Sequence, residues 1–219
     1  ILQSELVREN RSFSRDDILC AAAAGWNTTN QWRYIKKFGK QIEPEAVYIF
    51  FNLNYFSTTP VIIKSQEGDW NAFQFGEFNQ VISNLSLLEF KLGQLLVWSA
   101  TFGINYQEIK NFPSNQGYIE SLNSLLNIKK WTSENEVSLK VFITPVFGPF
   151  EKYDKFGRAY DRAMQLKEKL KNQIDIIDIV PEFFTEENNS RQYALTHSDI
   201  GHPNSKGKQA LIKKVLEKL

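Results

Sequence analysis

Asp199 and His202 stand three residues apart in the segment DIGHPN. In a loop, that spacing lets a carboxylate fold back onto the imidazole and fix one tautomer, leaving the other ring nitrogen to take a proton: an orienter and a general base. Two further positions could serve the same chemistry. Gly25, in AAAAGWNTTN, offers a backbone N–H with no side chain in the way, and Asn54, in FFNLNYF, offers a side-chain amide. Together they could form an oxyanion hole for acyl transfer. Singly, each has a plainer explanation: His202 as a loop residue before the last helix, Asn54 as a strand-end residue satisfying backbone groups, Gly25 as a turn glycine. A metal cluster of His197, Asp199 and His202 is disfavoured, because alternate positions of a short loop seldom face one ion and the sequence suggests no fourth ligand. The concurrence of all four residues is what favours acyl transfer.

The elements that must position them alternate between strand and helix. Residues 17–24 (DILCAAAA) read as a strand with small side chains, followed by a tight turn and a helix over 29–38 that stops at Gly39. Residues 46–53 (AVYIFFNL) are almost continuously apolar, the pattern of a central strand covered on both faces. Helices are predicted over 78–100, 118–131 and 153–172, strands over 138–146 and 174–180, and a closing helix over 205–219. This alternation implies a three-layer α/β fold with a doubly wound parallel sheet, whose ligand crevice lies beyond the carboxyl ends of the strands. Gly25 and Asn54 follow predicted strands, and Asp199 and His202 precede the last helix. Residues 1–219 read as one domain, with 57–135 long enough to include a cap or insertion.

Composition removes several other function classes. Apolar residues at 42% and charged residues at 23% exclude a disordered chain or a coiled coil, and 219 residues suffice to bury roughly 70% of the extended-chain surface. Lys and Arg number 26 against 25 Asp and Glu, so no global field draws nucleic acid, and the lysines of 206–218 read as a solvated helix face. The single Cys20 permits no intramolecular disulfide and reads as a small buried hydrophobe. Most of the five tryptophans read as core, and Thr28 and Gln31 as cap or supporting residues at a helix start. No transmembrane run and no signal-peptide pattern are visible, and the compartment stays open.

The same residues carry a resemblance to the SGNH (GDSL-type) hydrolase family, named for blocks that supply Ser, Gly, Asn and His. AAAAGWNTTNQ resembles its second block, which implies an oxyanion-hole N–H at Gly25. FFNLNYF resembles its third block, usually Gly-x-Asn-Asp, which implies the other donor at Asn54; Asn52 and Tyr55 stand where Gly and Asp are usual. DIGHPNSKG resembles its fifth block, Asp-x-x-His-Pro, which implies Asp199 as triad acid and His202 as base. The first block, a strand ending in Gly-Asp-Ser, has no counterpart: Leu2-Gln3-Ser4 does not match it, and 1–10 reads as the helix that follows it. The expectation is therefore an SGNH/flavodoxin-like domain lacking its first strand, with the nucleophilic Ser upstream of Ile1. The implied activity is serine-dependent ester hydrolysis or acyl transfer on a small-molecule or glycan O-acyl ester, without metal or organic cofactor. The rival is a non-catalytic SGNH-like domain that binds glycans or acyl chains.

Overall fold

The structure is a computed structural model that describes residues 18–22, 26–56, 63–64, 70–71, 115–148, 155–184, 190–195 and 201–219. Three parallel strands, β1 (Ala46–Asn52), β4 (Ser138–Thr144) and β5 (Asp175–Asp178), form a sheet in the order β1-β4-β5. Ala46 pairs with Ser138 through to Asn52 with Thr144, and Lys140 with Asp175 through to Ile143 with Asp178. A separate antiparallel ladder joins β2 (Ile63–Lys64) to β3 (Trp70–Asn71). The helices are α1 (Thr28–Ile42), α2 (Asn115–Glu134), α3 (Lys155–Leu170) and α4 (Ser205–Leu216).

Side chains of consecutive strand residues leave the sheet on opposite faces, and each face has its own cover. Ile49, Phe51, Val141, Ile143 and Ile176 join Leu122, Leu125 and Ile128 of α2 and Ala159, Ala163 and Leu166 of α3 in one buried cluster, with Trp32 and Ile35 of α1 packed against it. On the other face Phe142 packs with Phe147, Phe183 and Leu211 and Val215 of α4, with Phe50 and Ile177 alongside. The result is the expected three-layer α/β arrangement around a parallel sheet.

Local chemistry explains the helix ends. Asn27 caps α1, its Oδ1 accepting from the N–H groups of Thr29 at 3.1 Å and Asn30 at 3.3 Å, while its own N–H donates to Asn30 Oδ1 at 3.2 Å. The cap is thus Asn27, one residue before Thr28. The sequence places the end of this helix at Gly39, but α1 runs on to Ile42 and ends at Glu43, whose φ of 48° is left-handed and whose N–H donates to Gly39 O at 2.9 Å. Gly39 serves packing instead: a Cβ there would overlap the Trp131 indole of α2, which is 9% exposed. Thr29 Oγ1 and Ser124 Oγ, 3.0 Å apart, join the same two helices nearer their N-termini.

Two expectations fail within 18–22. The strand predicted over 17–24 is irregular at these residues, and Cys20, read as buried, is exposed, as is Leu19 at 60%. Small apolar side chains suit a strand only where a neighbouring strand completes the hydrogen-bond ladder, and among the described residues none pairs with this segment. The predicted helix over 78–100 lies outside the described residues, as do Trp98 and the side chain of Trp70. Trp131 is buried and Trp32 packs on the core, as expected of most tryptophans. No helix among the described residues is long and apolar enough to cross a membrane.

Candidate active site

The three segments expected to carry chemistry can be placed by following the chain off each strand. β1 ends at Asn52 and passes directly into a 3-10 turn, Leu53–Phe56, which contains Asn54. Leu53 and Phe56 are fully buried and anchor that turn, Phe56 contacting Phe51 at 5.2 Å and stacking on Tyr118 at 6.0 Å between ring centroids. The turn is therefore pinned at the carboxyl end of the sheet, where α2 begins.

α1 runs beside α2 in the same direction, because Thr29 meets Ser124 near one end and Gly39 meets Trp131 near the other. Its N-terminus, 26–28, accordingly also lies toward the carboxyl ends of the strands, and the aligned peptide dipoles of the helix give that end partial positive charge. Thr28 is fully buried, and its hydroxyl has no hydrogen-bond partner among the described residues.

The third segment is fixed through aromatic rings. Phe147 follows β4, Phe183 follows β5, and their centroids lie 5.6 Å apart at an interplanar angle of 77°. Tyr193 closes the cluster, 6.1 Å from Phe147 and 5.6 Å from Phe183. Its carbonyl accepts from the Asn204 N–H at 2.9 Å, and Ala194 bridges Pro203 in antiparallel fashion. The backbone of His202 completes this junction, its carbonyl accepting from the Leu195 N–H at 2.7 Å. At the opposite end of α4, Lys140 Nζ near the start of β4 donates to Lys218 O at 2.9 Å. The helix thus runs antiparallel to β4, with His202 at the carboxyl end of the sheet and its side chain exposed.

Of the four residues singled out from sequence, His202 lies among the described residues. The backbone of Asn54 is described, whereas its side chain, Gly25 and Asp199 lie outside the described residues, as does His197. Among the described residues no group of three His, Cys, Asp or Glu is placed to hold a metal ion. A depression of about 600 Å³ lined by Asp161, Met164, Gln165, Glu168 and Lys169 lies along α3, away from these segments.

Sequence reasoning missed the parts that hold the His202 segment. Asn204 could have been found as a helix cap, since Asn is favoured there and its Oδ1 accepts from the Gly207 N–H at 2.9 Å. The meeting of Phe147, Phe183 and Tyr193 follows from no local pattern. A half-buried ionic hydrogen bond lies beside the last strand: Tyr160 OH donates to Asp178 Oδ2 at 2.6 Å, and the Val180 N–H donates to Asp178 Oδ1 at 3.0 Å. Burial, followed by the bond to Asp178 and its charge, raises the Tyr160 hydroxyl well above the ordinary tyrosine range.

No family model matches the sequence, and no curated protein matches it. Among solved structures the chain is similar to an acetyl xylan esterase, AlAXEase, with a TM-score of 0.57 over 100% of this chain and 90% of that one, at 10% sequence identity. At that identity the likeness is one of fold.

Proposed function

We propose for this chain a role in serine-dependent ester hydrolysis or acyl transfer of the SGNH type, acting on an O-acyl ester of a carbohydrate or lipid. The observation that carries the reading is the convergence of three segments on one end of a parallel sheet: the start of α1, the turn after β1, and the His202 junction before α4. In open α/β sheets that end is where ligands bind. The fold neighbour is an acetyl xylan esterase, which favours ester chemistry as the kind of reaction.

In this mechanism a serine hydroxyl attacks the ester carbonyl while His202 takes its proton and Asp199 holds the imidazole in one tautomer. The Gly25 N–H and the Asn54 amide donate to the oxygen of the tetrahedral intermediate, where negative charge develops. The intermediate collapses as His202 returns the proton to the departing alkoxide. Water, or a second alcohol, then attacks the acyl-serine with His202 again as base, releasing the acid or the new ester and restoring the serine. The chemistry requires no metal or organic cofactor. No segment of the sequence matches Gly-Asp-Ser, and the reading assigns the serine to a segment N-terminal to Ile1.

A fluorophosphonate probe, applied to this chain and to the product of the complete reading frame and mapped by mass spectrometry, tests the assignment. Label on a serine upstream of Ile1 is the expected result. Label within 1–219 would relocate the nucleophile, and no label on either protein would favour a non-catalytic domain that binds glycans or acyl chains.

A further inference from the structure

Resting on the reading of His202 as the base, we infer that Asn204 is a positioning residue that fixes the His202 backbone through its amide donors, a task separate from capping α4. Its Nδ2 donates to Gln192 O at 2.8 Å and to Ala194 O at 2.9 Å, its Oδ1 accepts from the Gly207 N–H at 2.9 Å, and its main-chain N–H donates to Tyr193 O at 2.9 Å. Every donor of the residue is thus used, and the three carbonyls it serves belong to 192–194, the end of the 3-10 turn Ser190–Tyr193 and Ala194, which bridges Pro203. Leu195 N–H to His202 O, at 2.7 Å, is the second bond of that single bridge, the first being Asn204 N–H to Tyr193 O.

The residue type is informative. A cap needs only an acceptor, and Asp or Ser would serve α4 equally well. Asn alone among the good caps also supplies two N–H donors from the same side chain. A carboxylate at this position would keep the bond to Gly207 yet bring an anionic oxygen against the Gln192 and Ala194 carbonyls. Approach is close by design of the backbone: a Cβ at Gly207 would lie 2.5 Å from Tyr193 O, so the first turn of α4 and 190–194 leave no room for slack. Lys206 reinforces the contact, reaching Gln192 Oε1 and lying 5.6 Å above the Tyr193 ring.

The test compares the 219-residue chain with its Asn204→Asp and Asn204→Ser variants, both of which retain a capping acceptor. By hydrogen exchange, the Leu195 amide is expected to exchange at least about tenfold faster in either variant than the change at Phe142 in β4 accounts for, as when a local bond opens without global unfolding. The His202 ring resonances are expected to broaden or split relative to those of the parent. Leu195 exchange that rises no more than that of Phe142, with unchanged His202 signals, overturns the inference whether or not the protein is an esterase. In the complete enzyme, Asn204→Asp should lower kcat on an aryl acetate at least about tenfold with KM held within about twofold. Unchanged kcat alongside a loosened Leu195 amide overturns the positioning role. A complete, unmutated enzyme that hydrolyses no ester removes the esterase reading, while the exchange and resonance results still decide whether Asn204 fixes His202.

Discussion

The two faces of the sheet are built in different ways. On one, α1, α2 and α3 bury an aliphatic cluster that includes Leu125, Ile128, Val141, Ile143 and Leu170, and the helices are close enough to demand a glycine at 39. On the other, α4 covers Phe142, Phe147 and Phe183, while Tyr48 of β1 is 40% exposed. The first face draws on the area it removes from water, roughly 1.5 to 3 kcal/mol for each large side chain. The second adds aromatic edge contacts and a hydrogen-bonded junction that leads straight to His202. Stability and positioning therefore sit on opposite sides of the same three strands, and the two should respond to different substitutions.

His202→Ala gives the largest separation. With His202 as the proposed base, it should lower kcat for ester hydrolysis by the product of the full reading frame by a factor of at least about 10³. The melting temperature should hardly move, because the side chain is exposed and the bond from Leu195 uses the main-chain carbonyl. A large fall in melting temperature would break the comparison. Leu125→Ala should do the reverse: its side chain is fully buried, and truncation should cost about 2 to 5 kcal/mol in urea unfolding, with kcat of the folded fraction retained.

Smaller effects sharpen the boundary. Tyr160→Phe removes one donor from Asp178 and leaves the Val180 N–H in place, for a loss of about 1 kcal/mol. Because the folded-state pKa of Tyr160 is raised, its contribution is complete below the ordinary tyrosine value of about 10 and is lost as pH rises through the folded-state value. Urea titrations of parent and variant should converge at strongly alkaline pH. Least affected should be Glu182→Gln, which breaks ion pairs to Lys214 at 3.0 Å and Lys218 at 3.5 Å on the α4 side. Partly exposed pairs of this kind contribute under about 1 kcal/mol, and the difference should vanish in about 0.5 M salt. A larger, salt-resistant loss would mean that electrostatics, and not aromatic packing, secures α4.

The sheet was legible wherever burial was two-sided. β1 is an almost continuous apolar run and β4 begins with alternation and is stopped by Pro145; both begin where the sequence places them, and β4 ends at Thr144. α2, α3 and α4 were legible from their periodicity to within a few residues at each end. Gly39 misled, because a glycine inside a helix and a glycine ending one look alike until Trp131 is known to lie beside it. Residues 18–22 misled for a related reason, since strand propensity cannot report whether a partner strand is present. At the candidate site, His202 was singled out from its spacing to Asp199, which lies outside the described residues. Asn204 as a clamp was not, because its bonds join it to carbonyls 10 to 12 residues away and depend on the path of the intervening chain.

The Gly39 contact also constrains how this sequence can change over generations. A glycine inside a helix costs about 1 kcal/mol against alanine, so drift alone would tend to replace it. Here every replacement adds a Cβ where the Trp131 indole already lies. Positions 39 and 131, though distant in the chain, therefore behave as one inherited unit: the smaller residue can grow only in lineages where the larger has first shrunk, and relatives of this protein should vary at the two sites together.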